Sequence, residues 1–189
     1  MLRKLMSALG CSVLVFLIAA APAEARDRFV DTSDYKSGDY DKGIIEDYSD
    51  MVEGDGVEWA FIAPGVNLND YTIKMGKVGN KSSITNRAML ESAEETFDAA
   101  LRRKGNDGRK GTLTAETAVY WAERPSSGKR WIPYAGVHLA QAGVGIELIL
   151  RDSKGAIVAK VRHSGRQGNQ LEYAAEEVAD EIVNWISDN

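Results

Sequence analysis

Two histidines, His138 and His163, and one cysteine, Cys11, are the side chains of this 189-residue chain best suited to acid–base or nucleophilic chemistry. An imidazole works as a base only with an orienting acid and a nucleophile within hydrogen-bond reach. No serine or cysteine stands in a G-x-S-x-G elbow, and no H-x-x-x-H spacing puts two imidazoles on one helix face. His163 ends a strand beside Ser164-Gly165, and His138 lies between two strands, so each reads as a surface or edge residue. No catalytic residue is assigned, and a hydrolase using either histidine with an acidic partner is the weakest alternative. Asp39-Tyr40-Asp41-Lys42-Gly43 spaces two carboxylates as a calcium loop does. The later ligand, glycine and glutamate positions of such a loop are filled instead by Gly43, Ile44 and Asp50. Gly105–Gly111 joins a helix to a strand, the reverse of a phosphate-binding loop, and Gly128-Lys129-Arg130 lacks the rest of a Walker motif. Neither a metal nor a cofactor is expected. One stretch suggests contact with a partner: residues 124–143 hold Lys129, Arg130, Trp131, Tyr134 and His138, and aromatic and basic types anchor interfaces. The alternative is that Trp131, Tyr134, Val137 and Leu139 fold back to cap the core.

Composition narrows the class further. Apolar residues make 44% of the chain and charged residues 27%, which argues against wholesale disorder and against several membrane spans. With 23 basic and 28 acidic residues the net charge is −5, and nothing points to nucleic acid. Residues 1–25 read as a signal peptide. Arg3 and Lys4 form the positive end, Val13–Ala21 the apolar stretch, and Ala23-Glu24-Ala25 the cleavage site. Cleavage after Ala25 leaves 21 basic and 27 acidic residues, a net charge of −6, and no cysteine. Export without disulfides favours a bacterial envelope, periplasmic or secreted. The Asn80-Lys81-Ser82 sequon would matter only in a eukaryotic lumen and is read as chance. Two alternatives concern the same segment: a retained anchor helix, and lipid attachment at Cys11 in Ala8-Leu9-Gly10-Cys11. The apolar run follows Cys11, whereas a lipobox should close such a run.

The elements that would hold these residues follow from periodicity. Residues 26–58 form an acidic lead-in, where Ile44, Ile45, Tyr48, Met51 and Val52 make the apolar stripe of a short helix docked on the main body. Trp59–Ile62 is a short strand-like run, and Tyr71, Ile73 and Met75 alternate as in a half-buried strand. A helix is expected over about Thr85–Lys104, with Met89, Leu90, Ala93, Phe97, Ala100 and Leu101 inward. Thr112–Glu123 alternates as a strand with Leu113, Ala115, Thr117, Val119 and Trp121 on one face. Val144–Asp152 and Ala156–His163 form a hairpin through Asp152-Ser153-Lys154-Gly155. A last helix spans about Leu171–Ser187. The expected fold is α+β: a two-layer sandwich with a mainly antiparallel sheet of about four strands and two long helices on one face. Three regions are expected: 1–25 signal peptide, 26–58 acidic segment with a short helix, and 59–189 the α+β domain.

Ile44-Ile45-Glu46-Asp47-Tyr48-Ser49 resembles the G-F-L-x-D-Y-S motif near the start of a bacterial family of exported, often lipoprotein-type proteins of unknown function. Tyr71, Gly143-Val144-Gly145, Glu147 and Asp152-Ser153-Lys154-Gly155 resemble later features of that family. The layout is also similar to periplasmic domains of curli-secretion lipoproteins and to the N-terminal domain of the Tol translocation β-propeller. The resemblance implies a periplasmic α/β fold and carries no catalytic residues. The expected function is a non-enzymatic protein mediating protein interactions at the cell envelope, with no transmembrane span in the mature chain. Small-ligand binding on the sheet's second face, near Tyr120 and Ile149, is the main alternative.

Overall fold

In Thr112–Glu123 the buried Leu113, Ala115 and Val119 alternate with the exposed Thr112, Thr114 and Glu116, as a strand with one covered face requires. The computed structural model describes residues 43–104, 108–126 and 140–189. Residues 1–25 with Cys11, the Asp39/Asp41 pair and residues 127–139 lie outside them. Five strands form one sheet: β1 (Trp59–Ile62), β2 (Thr72–Asn80), β3 (Thr112–Glu123), β4 (Gly143–Arg151) and β5 (Ile157–Arg166). Their order across the sheet is β1-β5-β4-β3-β2. The fold is α+β, and the sheet departs from the expected four antiparallel strands in two ways. Trp59–Ile62 adds a fifth strand, antiparallel to β5. β2 and β3 run parallel, because helix α1 (Arg87–Lys104) carries the chain back across the sheet between them.

α1 starts where the side chain of Asn86 accepts the Met89 N–H at 3.1 Å, and its first residue, Arg87, comes two after the expected Thr85. Met89, Ala93 and Phe97 line its fully buried face. Helix α2 (Leu171–Asp188) buries Leu171, Ala175, Val178, Ile182, Trp185 and Ile186 as one apolar stripe. The two helices pack side by side on one face of the sheet. Their outer seam is polar: Ser92 donates to Glu176 at 2.7 Å, and Arg103 reaches Asp180 at 3.2 Å. Each fully buried Phe or Leu of this core contributes roughly 1.5–3 kcal/mol.

The β4–β5 hairpin turns as expected. Gly155 sits at φ 83°, and the carboxylate of Asp152 accepts the N–H groups of Lys154 and Ala156, both at 2.9 Å. In β3 a bulge between Val119 and Trp121 breaks the alternation. Tyr120 rests against Gly145 and Trp121 against Gly143, so both rings occupy the face away from the helices. Trp121 had been expected beside Val119. The extra residue of the bulge turns it over.

Residues 43–58 contain no helix. Met51 N–H closes a single turn on the Tyr48 carbonyl at 3.0 Å, and Val52 exchanges two hydrogen bonds with Ala60. The segment nevertheless docks, as a strap across the sheet's outer face. Ile45, Tyr48 and Met51 are buried there with Ile149, and Ile44, Trp59 and Phe61 pack around them. β4 is thereby covered on both faces, and all its residues but Arg151 are buried.

Candidate functional site

The helix-facing positions of β4 and β5 are apolar but for His163 near the end of β5, while Glu147, Lys160 and Arg162 put charge on the outer face. Glu147 pairs across the sheet with Arg162, and Ile149 with Lys160. Pleating therefore aims Glu147, Lys160 and Arg162 at the strap. The side chains of Glu147 and Arg162 are both 0% exposed, and the guanidinium Nη1 donates to Glu147 Oε1. Tyr48 donates its hydroxyl to the same oxygen and accepts from Arg162 Nη1 at 2.8 Å. Glu147 Oε2 takes the backbone N–H groups of Ile44 and Ile45 at 2.6 and 2.9 Å. One carboxylate thus holds four donors.

A buried ion pair repays its desolvation only when its remaining lone pairs and protons are satisfied, and this one draws on the strap to do so. Arg162 lies 3.7 Å from the Tyr120 ring centroid and 5.3 Å from that of Tyr48. Burial works against its charge. Tyr120, Glu147 and Tyr48 outweigh that and hold Arg162 above the usual arginine range. Lys160, with a side chain 5% exposed, donates to the Asp47 carbonyl at 2.6 Å, pairs with the Asp50 carboxylate, and faces the Phe61 ring at 5.2 Å.

The strap's sequence suits this surface. A Cβ on Gly43 would stand 1.8 Å from Glu147 Oε2, so only glycine lets the backbone come this close. Asp47 turns its carboxylate back to the Ser49 N–H at 2.9 Å. That bond, then the Ser49 side chain, holds the exposed Asp47 carboxyl below the usual aspartate range. Asp47-Tyr48-Ser49 therefore shapes a turn and delivers one hydroxyl to a distant carboxylate.

The candidate residues named from sequence fall elsewhere. Lys129, Arg130, Trp131, Tyr134 and His138 all lie outside the described residues. The described base of their segment is tied down, with Ser126 N–H on the Ala140 carbonyl at 3.2 Å. Arg166 pairs with Glu123 there and sits 4.8 Å from the Trp121 ring centroid. Tyr120 and Ile149, proposed to line a pocket, are buried: one beside Arg162, the other under the strap. Sequence reasoning missed Glu147 with Lys160 and Arg162 as a functional cluster. Their signal was a charge at alternate positions of otherwise apolar strands. Among the described residues no group of three acidic, histidine or cysteine side chains is placed to hold a metal ion. A groove of about 590 Å³ runs between α1 and α2, lined mainly by polar and acidic side chains such as Glu95, Glu176 and Asp180. No described helix is long and apolar enough to cross a membrane.

No protein-family model matches the chain, and no curated protein does. Among solved structures, it is similar to two dodecamers of PelC from Paraburkholderia phytofirmans. A single-substitution variant is 18% identical with a TM-score of 0.45, covering 68% of this chain and 94% of that one. The second dodecamer is 16% identical, with the same TM-score and coverage. A candidate lipoprotein from Caulobacter crescentus CB15 is 17% identical with a TM-score of 0.36, covering 65% of this chain and 91% of that one.

Proposed function

We propose that the protein is a non-enzymatic component of a bacterial cell envelope, exported to the periplasm, that works by binding another protein there. One observation carries this reading. The ion pair described with both side chains 0% exposed, Glu147 with Arg162, is joined by Tyr48 and engaged in holding the protein's own strap, with the carboxylate buried under four donors. A catalytic carboxylate needs access to a substrate, and this one has none. The signal-peptide reading of residues 1–25 supports export. The aromatic and basic residues 129–138, on a connection with a fixed base, supply the types that anchor interfaces.

The test is affinity capture from envelope extracts with the mature chain as bait. A stoichiometric partner lost with Trp131→Ala and Tyr134→Ala is the expected result. Wild-type protein that remains monomeric and partnerless would contradict it. Small-ligand binding stays a second reading because the groove between α1 and α2 is of ligand size. A thermal shift of several degrees with a metabolite, sugar or lipid would favour it.

A further inference from the structure

His163 stands on the helix-facing side of β5 with a side chain only 13% exposed. Its Nδ1 lies 3.2 Å from the backbone nitrogen of Glu58, and its Nε2 lies 2.6 Å from Glu181 Oε2 on α2. A peptide N–H only donates, so Nδ1 must offer its lone pair. The ring proton of the neutral form therefore sits on Nε2, donated to Glu181. One imidazole joins the end of the strap, the sheet and a helix.

Glu58 adds a second observation. Its Oε1 accepts from the Ser164 hydroxyl at 2.7 Å, while its Oε2 is buried without a hydrogen-bond partner among the described residues. A buried carboxylate oxygen with no donor is uncommon and calls for an explanation. The residue that gives its N–H to the neutral ring thus also brings a second buried acid group to this end of the strap.

We infer that His163 is a proton-operated latch on the strap. The neutral ring accepts the Glu58 N–H. One proton taken from solvent onto Nδ1 ends that bond, because the nitrogen then donates rather than accepts. The groups facing the ring are the Glu58 backbone N–H, just before β1, and Glu181 and Glu177 from α2. The oxygens of both α2 glutamates come within 3.9 Å of where a Cβ on Gly165 would stand. Burial, then the neighbouring Glu181, raises the Glu177 carboxyl above the usual glutamate range, with His163 acting the other way. From β4 the register partner is the uncharged Ile146, and Arg162 on β5 turns to the opposite face. Two carboxylates of α2 thus face a single titratable base. Acidification loosens the strap at Glu58, while the Glu147–Arg162 pair holds its other end.

Long-range ¹H–¹⁵N spectra of the labelled full mature chain, taken from about pH 8 to about pH 5, test this across the histidine range. At the upper end His163 is expected as one fixed tautomer, with Nδ1 bare and Nε2 protonated. On acidification the Glu58 amide shift should move with the same midpoint as the imidazole, and its exchange protection should fall about five- to tenfold, the worth of one amide hydrogen bond. Glu58→Gln keeps the backbone donor, so it should keep the high-pH tautomer. A protonated Nδ1 at high pH, an imidazole that does not titrate in this range, or a Glu58 amide that stays still while the ring titrates would each overturn the inference.

Discussion

Glu147→Gln removes one negative charge and keeps the shape of the side chain, and it should cost far more than a surface change. In the native protein one carboxylate oxygen takes Arg162 and Tyr48, and the other takes the N–H groups of Ile44 and Ile45. An amide can serve only one of these two sides. Turned toward Arg162, its oxygen leaves the two strap N–H groups facing an NH₂. Turned the other way, the NH₂ faces the guanidinium. Either way Arg162 keeps a charge at 0% exposure with no counter-charge. Removing one partner of such a pair costs about 3–5 kcal/mol. For a domain of this size that is a fall in Tm of roughly 6–20 °C. Urea unfolding followed by tryptophan fluorescence, with calorimetry alongside, measures it. The double variant Glu147→Gln, Arg162→Met should be less destabilised than Glu147→Gln alone, because it removes the buried charge while the amide oxygen can still accept the strap N–H groups. A loss for Glu147→Gln below about 1 kcal/mol, the level of an exposed ion pair, would refute the reasoning.

Other substitutions test neighbouring parts. Gly43→Ala pushes a methyl group against the Glu147 carboxylate, so limited proteolysis within residues 43–58 should speed up several-fold while the sheet and helices stay folded. Gly155→Ala places a side chain at φ 83°, and should lower urea stability by about 1–2 kcal/mol without altering the fold. Glu177 has its carboxyl raised by burial, so the folded state holds the proton more tightly than the unfolded chain. Stability should then fall as pH rises from the ordinary glutamate range through the raised value. Glu177→Gln should remove that fall, and be more stabilising at about pH 7 than at about pH 4, read from urea midpoints.

Much of the fold was legible because it depends on local periodicity. The stripe of α2 from Leu171 to Ile186 and the Asp152–Gly155 turn need only neighbours a few residues away. The strap is the opposite case. Ile45, Tyr48 and Met51 recur every third residue, which suits a helix, yet their partners lie about a hundred residues downstream. Once Glu147 takes the Ile44 and Ile45 N–H groups and Lys160 takes the Asp47 carbonyl, that backbone has its hydrogen bonds without winding up. The position of Trp121 depended on a one-residue bulge that alternation alone does not show. The pairing of Glu147 with Arg162 required the β4–β5 register, which the hairpin turn sets. Both charges stood out in apolar strands, and the turn could have brought them together.

The proposal that this is a binding protein rests on what residues 129–138 touch in the envelope. Photo-crosslinking with a reactive residue at position 131, and separately at 134, of the full chain expressed in a bacterium tests it most directly. One discrete cross-linked product from both positions, absent with the probe on the exposed helix position 102, is expected. Only monomer at both positions, with the protein folded and exported, would contradict the account.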